Sequence, residues 1–374
     1  MLIAALGDAH LGRAYYPVTT PEGVNQRERD FELSFEAAVD LALAQEPGLV
    51  VLLGDVFDHP RPSYRSFRVV QRALARIRDH GVTAVVITGN HDTPRLPGTG
   101  SPYGPLADGF PEHRFAYRLS YEAFSFPGLV IHCVPQMLTV EQTLEALDEV
   151  AAARGGDRVD LLLTHPRVPQ VEPRYADINE IEVDAGRLRA DLALLGHYHV
   201  PTRVGEGVWY AGSTDSFSFA DDPEVEKGIV TLDTDTGAWR HLPLSSQRPL
   251  VTLPTVEALG LSPSELAAGV LSRLEGVPEG AVARLYLEGV DPEAYRLLDS
   301  GALKEAGKAA LWCKIEPRFV GASAEVELVE LDAMPARWAR YVAGQDLTGF
   351  DRDRIAGLGR RYLDRAVEEA GMRP

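Results

Sequence analysis

Short apolar runs, most of which stop at a Gly, Asp, Asn or His, constrain the fold of this chain more than any other feature. Their length and their Val, Ile and Leu content are typical of buried strands, because strands covered on both faces have near-continuous apolar sequences. Helical patterns separate several of them, most clearly at Phe31–Gln45 and Ser66–His80. This alternation predicts a layered α/β fold. The predicted strands are Leu2–Leu6, Leu49–Leu53, Thr83–Thr88, Leu129–Val134, Leu161–Thr164 and Leu192–Leu195.

The pattern becomes less regular after these runs. A short helix is predicted at Asp184–Arg189. Three further apolar runs are joined by turns such as Asp235–Gly237, and they indicate a more antiparallel second half of the sheet. These runs are Val208–Ala211, Ile229–Asp233 and Ala238–Leu242.

Prolines near Ser246–Pro249 mark a change in character and predict a first domain over residues 1–245. Residues 246–330 predict a small α+β domain, and residues 331–374 predict C-terminal helices. The two terminal helices are expected at Pro335–Gly344 and Asp351–Ala370. The elements expected in the small domain are, in order, Leu250–Leu253 (strand), Ser264–Leu274 (helix), Ala281–Leu287 (strand), Pro292–Ser300 (helix) and Leu311–Pro317 (strand).

Composition excludes several classes of protein. The chain has 374 residues and a formal net charge of −18. Its two cysteines are too few for a disulfide framework or a cysteine-rich zinc module. Cys133 and Cys313 lie in apolar runs and are expected to be buried. No stretch approaches the roughly 20 apolar residues of a membrane span. The opening MLIAALGDAH does not resemble a signal peptide, so a cytoplasmic protein without a membrane partner is expected.

The acidic charge argues against a protein that coats nucleic acid, because such proteins are usually basic. It does not exclude an enzyme acting on nucleic acid. A carboxylate-rich site loaded with divalent cations presents positive charge to a phosphate.

Polar side chains follow five of the predicted strands at the point where each strand ends. The carboxyl ends of parallel strands meet at one edge of a sheet, so these side chains are expected to form one cluster. The glycines before them allow sharp turns and close approach of the backbone. The motifs are Asp8-Ala9-His10, Gly54-Asp55-Val56-Phe57-Asp58, Gly89-Asn90-His91-Asp92, Thr164-His165 and Gly196-His197-Tyr198-His199.

Each motif alone has an ordinary explanation, such as a strand-end cap or a surface histidine. Their occurrence together, in this order and spacing, indicates a metal site. Asp, Asn and neutral His suit manganese, iron or zinc. A carboxylate can bridge two cations about 3.5–4 Å apart, which polarise a phosphoryl group and lower the pKa of a water.

These motifs resemble those of the calcineurin-like metallophosphoesterase superfamily and, more narrowly, of the SbcD-type DNA double-strand-break repair nucleases. The resemblance implies an α/β/β/α-type sandwich with a small α+β capping domain and C-terminal helices. The narrower resemblance uses additional residues. They are Leu11-Gly12 after the first motif, His59–Ser63 after the second, Tyr210-Ala211-Gly212-Ser213, Lys227-Gly228-Ile229 and Arg248-Pro249-Leu250.

The resemblance also implies a ligand set for two divalent ions, with manganese as the expected metal. His91 would lie near the scissile phosphate, where it would stabilise the transition state or protonate the leaving oxygen. Asp58 stands where some members have a histidine that positions DNA, so only a supporting role in orienting a ligand histidine is assigned to it. The implied ligands are Asp8, His10, Asp55 and His199 for one metal and Asp55, Asn90, His165 and His197 for the other.

Four further residues are candidate DNA contacts: Arg13, Tyr15 and Tyr16 after the first motif, and Arg61 in the Pro-Arg-Pro loop. Arginine binds phosphates and tyrosine stacks on bases. The alternative is that both segments are ordinary surface loops.

The leading functional hypothesis is a metal-dependent DNA nuclease, acting as exonuclease, endonuclease or both. The alternatives are a phosphodiesterase for small or cyclic nucleotides and a scaffold that has lost catalysis. The resemblance implies a homodimer and an SbcC-type ATPase partner. Dimerisation through the Ser66–His80 helix would use Phe67, Val70, Leu74 and Ile77, which could equally face the core. The last helix could dock onto the ATPase or pack as an ordinary terminal helix through Ile355, Leu358, Tyr362, Leu363 and Val367.

Overall fold

A computed structural model describes residues 1–171, 180–219, 225–245, 247–320, 338, 341–343 and 352–371. Its strands up to residue 245 are β1 (Leu2–Leu6), β2 (Leu49–Leu53), β3 (Thr83–Ile87), β4 (Arg114–Ala116), β5 (Glu122–Phe126), β6 (Leu129–Val134), β7 (Val159–Thr164), β8 (Leu192–Leu195), β9 (Thr202–Gly205), β10 (Val208–Tyr210), β11 (Gly228–Asp233) and β12 (Trp239–Pro243). The helices of the same part are α1 (Gln26–Leu43), α2 (Tyr64–Asp79), α3 (Tyr103–Gly109) and α4 (Val140–Ala153). Short 3-10 turns lie at Pro97–Thr99 and at Ala185–Arg187, within the predicted Asp184–Arg189 helix.

The later elements are β13 (Leu250–Thr252), β14 (Val256–Glu257), α5 (Pro263–Glu275), β15 (Val282–Val290), α6 (Pro292–Arg296), α7 (Ser300–Ala306), β16 (Trp312–Phe319) and α8 (Arg352–Gly371). The predicted helix at Pro335–Gly344 lies mostly outside the described residues. Among the described residues, no helix has the length and apolar character needed to cross a membrane.

The described chain forms two compact units. The first contains Met1–Leu253, Arg273–Arg284 and Lys304–Lys314. The second contains the described residues of Pro254–Ser272, Leu285–Leu303 and Ile315–Pro374. The predicted division at residues 245 and 330 stays a prediction.

The first unit is built on two six-stranded sheets. One has the strand order β12-β11-β1-β2-β3-β4, in which β1 to β4 are parallel and β11 and β12 are antiparallel to their neighbours. The other has the order β5-β6-β7-β8-β10-β9, with β6, β7, β8 and β10 parallel. The antiparallel arrangement predicted for the late strands is found at β11 and β12, whereas β10 is parallel to β8 and antiparallel only to β9. The distribution of these strands over both sheets was not predicted.

Alternation along the strands separates the layers. In β1, Ile3 and Ala5 join the core between the two sheets, whereas Ala4 and Leu6 join the core beneath α1, α2 and α3. Leu162 of β7 faces a third core with residues of α4. The order of layers is therefore helix, sheet, sheet, helix, as the fold prediction required.

The apolar face of α2 belongs to the core. Val70, Leu74 and Ile77 are fully buried, and Phe67 packs against the same cluster. The prediction that these residues form a dimer interface is wrong, and the alternative of core-facing positions is correct. The helical spacing of the four residues is the same in both cases, so the sequence did not separate them.

The second core prediction concerned the cysteines. Cys133 is buried between the sheets, as expected, but Cys313 is only partly buried. Burial raises the pKa of both thiols, which disfavours a thiolate nucleophile at either position.

The third sheet is centred on β15. Within the first unit, Leu250–Thr252 pairs in parallel with the beginning of β15, and Arg248 fixes this junction by donating to Asp30 (2.6 and 2.8 Å) and to the Gly280 carbonyl (2.5 Å). Within the second unit, β14 pairs with Leu287 and Glu288. Arg248, singled out in the sequence, thus anchors the start of the small α+β segment to α1.

Candidate metal centre

Five loops bring the predicted ligands together at one end of the first unit. Those carrying Asp8, Asp55 and Asn90 follow β1, β2 and β3 of the first sheet, whereas those carrying His165 and His197 follow β7 and β8 of the second. The site thus draws on two facing sheets rather than on the edge of one.

Backbone conformation sets these loops apart. In the described part of the chain, positive φ angles occur at seven residues other than glycine, and four of them are candidate ligands: Asp8 (41°), His10 (45°), Asp55 (48°) and His197 (91°). Such conformations cost energy for L-residues and cluster at functional sites. The strain therefore coincides with the cluster of donor groups.

Two glycines explain how the loops approach so closely. Gly54 has φ +88°, and a Cβ atom there would lie 2.5 Å from His165 Nδ1. A Cβ atom at Gly196 would lie 2.0 Å from the Leu53 carbonyl oxygen and 2.5 Å from the same ring nitrogen. A side chain at either position would collide with the site, as the glycine-before-ligand pattern predicted.

Asp55 lies at the centre of the cluster. Its Oδ2 is 3.3 Å from His165 Nε2 and 3.6 Å from His10 Nε2. On one side, Asp8, His10 and His199 offer donor atoms within 4.8 Å of one another. On the other, Asn90 Oδ1 is 3.2 Å from both His165 Nε2 and His197 Nδ1. The arrangement has two groups of donors with one carboxylate oxygen between them.

Hydrogen bonds indicate the tautomers of two histidines. His165 Nδ1 is 2.6 Å from the Leu53 carbonyl oxygen, and His10 Nδ1 is 3.0 Å from Asp58 Oδ1. These oxygens only accept, so each Nδ1 carries a proton, and Nε2 of each ring is the nitrogen that points into the donor cluster. His10 Nε2 is buried and has no hydrogen-bond partner. A bound cation would supply one, so the donor set fits a metal.

The shifted pKa values within the cluster also favour a bound metal cation. Burial and the neighbouring Asp55 charge raise the pKa of Asp8 to about 7, against the opposing effect of His165. Burial, together with His10 and Lys227, lowers the pKa of His199. Two buried carboxylates beside a histidine that remains neutral form an environment that a divalent cation would stabilise.

Asp58 contacts two histidines of the cluster, His10 and His91. Its Oδ1 accepts from His10 Nδ1 and from Arg13 Nη1, each at 3.0 Å, and lies 3.4 Å from His91 Nδ1. Burial alone would lower the pKa of His91, but Asp58 and the Asp55 charge outweigh it and raise this pKa to about 9. The raised pKa favours the protonated form of His91, and 30% of its side chain is exposed.

His91 lies close to the candidate ligands. Its ring centroid is 4.6 Å from that of His10, and one donor atom each of His10, Asp55 and His91 lie within 4.8 Å of one another. The predicted role of His91 outside the ligand set stays a prediction.

An open pocket of about 720 Å³ adjoins His91. Three of the four predicted DNA-contacting residues, Arg13, Tyr15 and Arg61, line it. Tyr16 does not line this pocket, because its ring stacks on Trp312 with centroids 6.0 Å apart. The pocket thus brings together three of the candidate contacts and leaves out the fourth.

Sequence reasoning missed several residues of the site. Arg95 also lines the pocket, and it follows the Gly89–Asp92 motif by only three residues, which is a usable signal. Asp92 belongs to the motif but received no role. It is fully buried and accepts hydrogen bonds from the Val56 and Gly89 amides and the Tyr103 hydroxyl, so it ties two ligand loops together.

Two residues of the family-like motifs support the second-sheet loops. The Tyr210 hydroxyl donates to the Pro166 carbonyl (2.8 Å) and accepts from the Val168 amide (2.9 Å), which fixes the loop after His165. The buried Lys227 ammonium donates to the His199 carbonyl at 2.8 Å. Both residues act on ligand loops and not on the donor cluster itself.

Comparison with known proteins agrees with this architecture. The family model described as calcineurin-like phosphoesterase matches residues 1–201. This segment covers more than half of the chain and includes all of the candidate ligands.

Similar curated proteins carry the name DNA double-strand break repair protein Mre11. The one from Saccharolobus solfataricus is 27% identical over 218 residues, which cover 57% of this chain and 54% of that protein. The one from Thermoplasma acidophilum is 27% identical over 261 residues, or 65% of each chain. The chain thus matches about half to two thirds of the length of these relatives. The match to the family model establishes that the chain belongs to the calcineurin-like phosphoesterase family.

Proposed function

We propose that this chain is a metal-dependent DNA nuclease, exonuclease or endonuclease or both, that hydrolyses phosphodiester bonds in double-strand-break repair. Family membership supports hydrolysis of a phosphoester, and the names of the relatives support DNA repair. The observation that carries the proposal is the position of Asp55 Oδ2 between His10 Nε2 and His165 Nε2.

In this proposal two divalent cations, with manganese expected, are held by the two donor groups that share Asp55. Asp8, His10 and His199 would complete one site, and Asn90, His165 and His197 the other. Two such cations would polarise the phosphoryl oxygens and activate a water for attack on phosphorus.

The chain's own residues would perform the remaining tasks. Asp58 keeps His10 in the tautomer whose Nε2 is a donor atom, and it favours a protonated His91. His91 would then give a proton to the leaving oxygen or stabilise charge on the phosphate. Arg13, Arg61 and Arg95 would bind neighbouring phosphates of the DNA in the pocket beside His91.

A DNA substrate also gives the residues outside the family match a role. We propose that residues 246–330 form a cap that orients the DNA. Trp312 lies in this segment and stacks on Tyr16 in the loop after the first motif. Tyr16 would then act by supporting Trp312, and Tyr15 by contacting the substrate in the pocket.

A homodimer is proposed as well, through a surface other than the buried face of α2. Tyr64 at the start of α2 is almost fully exposed, and Leu33 of α1 is also exposed. We propose that these two exposed apolar side chains belong to that surface. Light scattering should give about twice the chain mass of 40.8 kDa at micromolar concentration. A particle of one chain mass would contradict the dimer.

The function is tested with an end-labelled DNA duplex and a closed single-stranded circle, each incubated with manganese, magnesium or a chelator. We expect cleavage of at least one DNA with manganese and none with the chelator. An Asp55→Ala variant is the matched control and should be inactive. Cleavage of neither DNA, together with turnover of a cyclic nucleotide, would contradict the nuclease proposal and favour a phosphodiesterase for small nucleotides.

A further inference from the structure

His197 is oriented differently from the two histidines whose tautomers are fixed. His10 and His165 each turn Nδ1 away from the cluster towards an accepting oxygen. His197 instead places Nδ1 3.2 Å from Asn90 Oδ1, and its Nε2 faces away, 3.4 Å from Glu180 Oε1. A carboxylate therefore lies next to His197 Nε2, on the side of the ring opposite to the donor cluster.

Glu180 is held in this position from two sides. Its side chain is only 8% exposed, and its Oε2 lies 3.5 Å from Arg167 Nε. The backbone next to it is also fixed, because the Arg167 amide donates to the Ile181 carbonyl (2.9 Å) and the Val183 amide donates to the Arg167 carbonyl (2.8 Å). A buried carboxylate needs such partners to remain charged.

The backbone of His197 leaves its ring little freedom. Its φ of 91° is strained, and its amide donates to both carboxylate oxygens of Asp8 at 3.0 and 3.1 Å. The side chain is largely buried between Asn90 and Glu180. What remains to be fixed is which ring nitrogen carries the proton.

We propose that Glu180 is a positioning residue for His197, an inference that rests on the proposed two-metal centre. Glu180 accepts the Nε2 proton, which leaves the Nδ1 lone pair for a cation, and Arg167 keeps the Glu180 carboxylate in place. Metal-ligating histidines commonly donate their other nitrogen to a carboxylate in this way, and loss of that partner typically weakens metal affinity about 10- to 100-fold. Glu180 would serve His197 as Asp58 serves His10.

The neighbouring carboxylate provides a matched control. Glu182 Oε2 lies 3.0 Å from Nη1 of the same arginine, but Glu182 is exposed. Glu182→Gln therefore removes a carboxylate from Arg167 without removing the one behind His197.

The test is titration of the full chain with manganese alone, in which electron paramagnetic resonance measures the free ion. The wild-type protein should bind two ions. Glu180→Ala should weaken one of them about 10- to 100-fold and leave the other unchanged, whereas Glu182→Gln should match the wild type. Glu180→Gln should bind more tightly than Glu180→Ala, because the amide oxygen can still accept the Nε2 proton.

Three outcomes of the manganese titration would each contradict a different part of the proposal. Wild-type protein that binds fewer than two ions would contradict the two-metal centre. Two unchanged ions in Glu180→Ala would overturn the role of Glu180 alone. A large fall in the melting temperature of both metal-free Glu180 variants, with both ions weakened equally, would assign Glu180 to the stability of the fold and also overturn the proposal.

Discussion

At the scale of single residues, His91 differs from its neighbours in the cluster by its exposure. His10 and His165 are buried, whereas 30% of the His91 side chain is exposed beside the pocket. Burial lowers the pKa of both His91 and His165, but the nearby carboxylates outweigh it and raise each pKa to about 9. Exposure, and not protonation, therefore distinguishes the candidate catalyst from the candidate ligands, because only an exposed imidazolium can reach the leaving oxygen of a substrate.

We expect His91→Ala to keep both metals and to lose about 10²- to 10⁴-fold in the rate of DNA cleavage, because a positioned acid is removed. Plasma emission measures metal content on the purified variant. His80→Ala, which changes an exposed histidine at the end of α2, is the control and should retain the wild-type rate. Loss of one metal equivalent in His91→Ala would show instead that His91 is a ligand.

Gly196 provides a test of how tightly the two sheets meet. A methyl group there would lie 2.0 Å from the Leu53 carbonyl oxygen. This oxygen belongs to the backbone of β2, so it cannot move aside as the end of a flexible side chain could. We expect Gly196→Ala to lower the free energy of unfolding by about 1–3 kcal/mol or more, as overpacking does, and to weaken metal binding. Thermal melting with and without manganese measures both effects.

Gly205→Ala is the matched control for that change. Gly196 directly follows β8, and Gly205 ends β9 of the same sheet. A Cβ atom at Gly205 would meet nothing within 4 Å. If Gly196→Ala melted and bound manganese like Gly205→Ala, the close contact between the Leu53 and Gly196 backbones would not be required.

At the scale of elements, α1 and α2 are joined by a ladder of ion pairs. Arg65 binds Glu32 (2.6 Å), Arg72 binds Glu36 (2.8 Å), and Arg76 binds Asp40. The carboxylates recur every four residues along α1 and so form a stripe on one face. The ladder neutralises much of the basic face of α2, so this face is a weaker candidate for DNA binding than its arginine content suggests.

Helix α8 carries the proposed contact with an SbcC-type ATPase. It spans Arg352–Gly371, close to the predicted Asp351–Ala370. Leu358 is 47% exposed and Tyr362 is 68% exposed, whereas Ile355 is partly buried. The side chains of Leu363 and Val367 lie outside the described residues. Two exposed apolar residues one turn apart suit a helix-in-groove contact.

We expect a double variant, Leu358→Glu with Tyr362→Glu, to abolish co-purification with the ATPase and to leave manganese-dependent cleavage of short DNA intact. The reason is that charge on the exposed stripe disrupts docking but touches no candidate ligand. Leu297→Glu changes another exposed apolar residue of the same unit and is the control. A large fall in melting temperature of the double variant alone would show that the stripe packs within the chain.

At the scale of the whole molecule, the sequence predicted the elements whose signals are local. Strands β1, β2, β6 and β8 have the predicted bounds. Strands β1, β2 and β8 are continuous apolar runs followed by a glycine, whereas β6 is an apolar run that contains His132 and is followed by Pro135. Helix α1 begins five residues before the predicted start, because the Asn25 side chain caps it by accepting from the Arg27 and Glu28 amides. Helix α4 was not predicted, although Leu147 and Val150 follow helical spacing and are buried.

The residues of the candidate site likewise divide into those that a local sequence pattern indicated and those that it did not. Its donor residues were found because each follows a strand within a few positions. Glu180 contacts His197 and Arg167, which are distant from it along the chain, so no local pattern indicated its role. The sequence left interface and core as alternatives for Val70 and Leu74, which are buried in the core, because an apolar stripe does not indicate what covers it.

Anomalous X-ray diffraction from crystals of this protein soaked in manganese tests the two-metal centre directly. We expect two anomalous peaks, about 3.5–4 Å apart, on either side of the Asp55 carboxylate, one near His10 and the other near His165. A single peak, or two peaks that do not share Asp55, would contradict the two-metal centre.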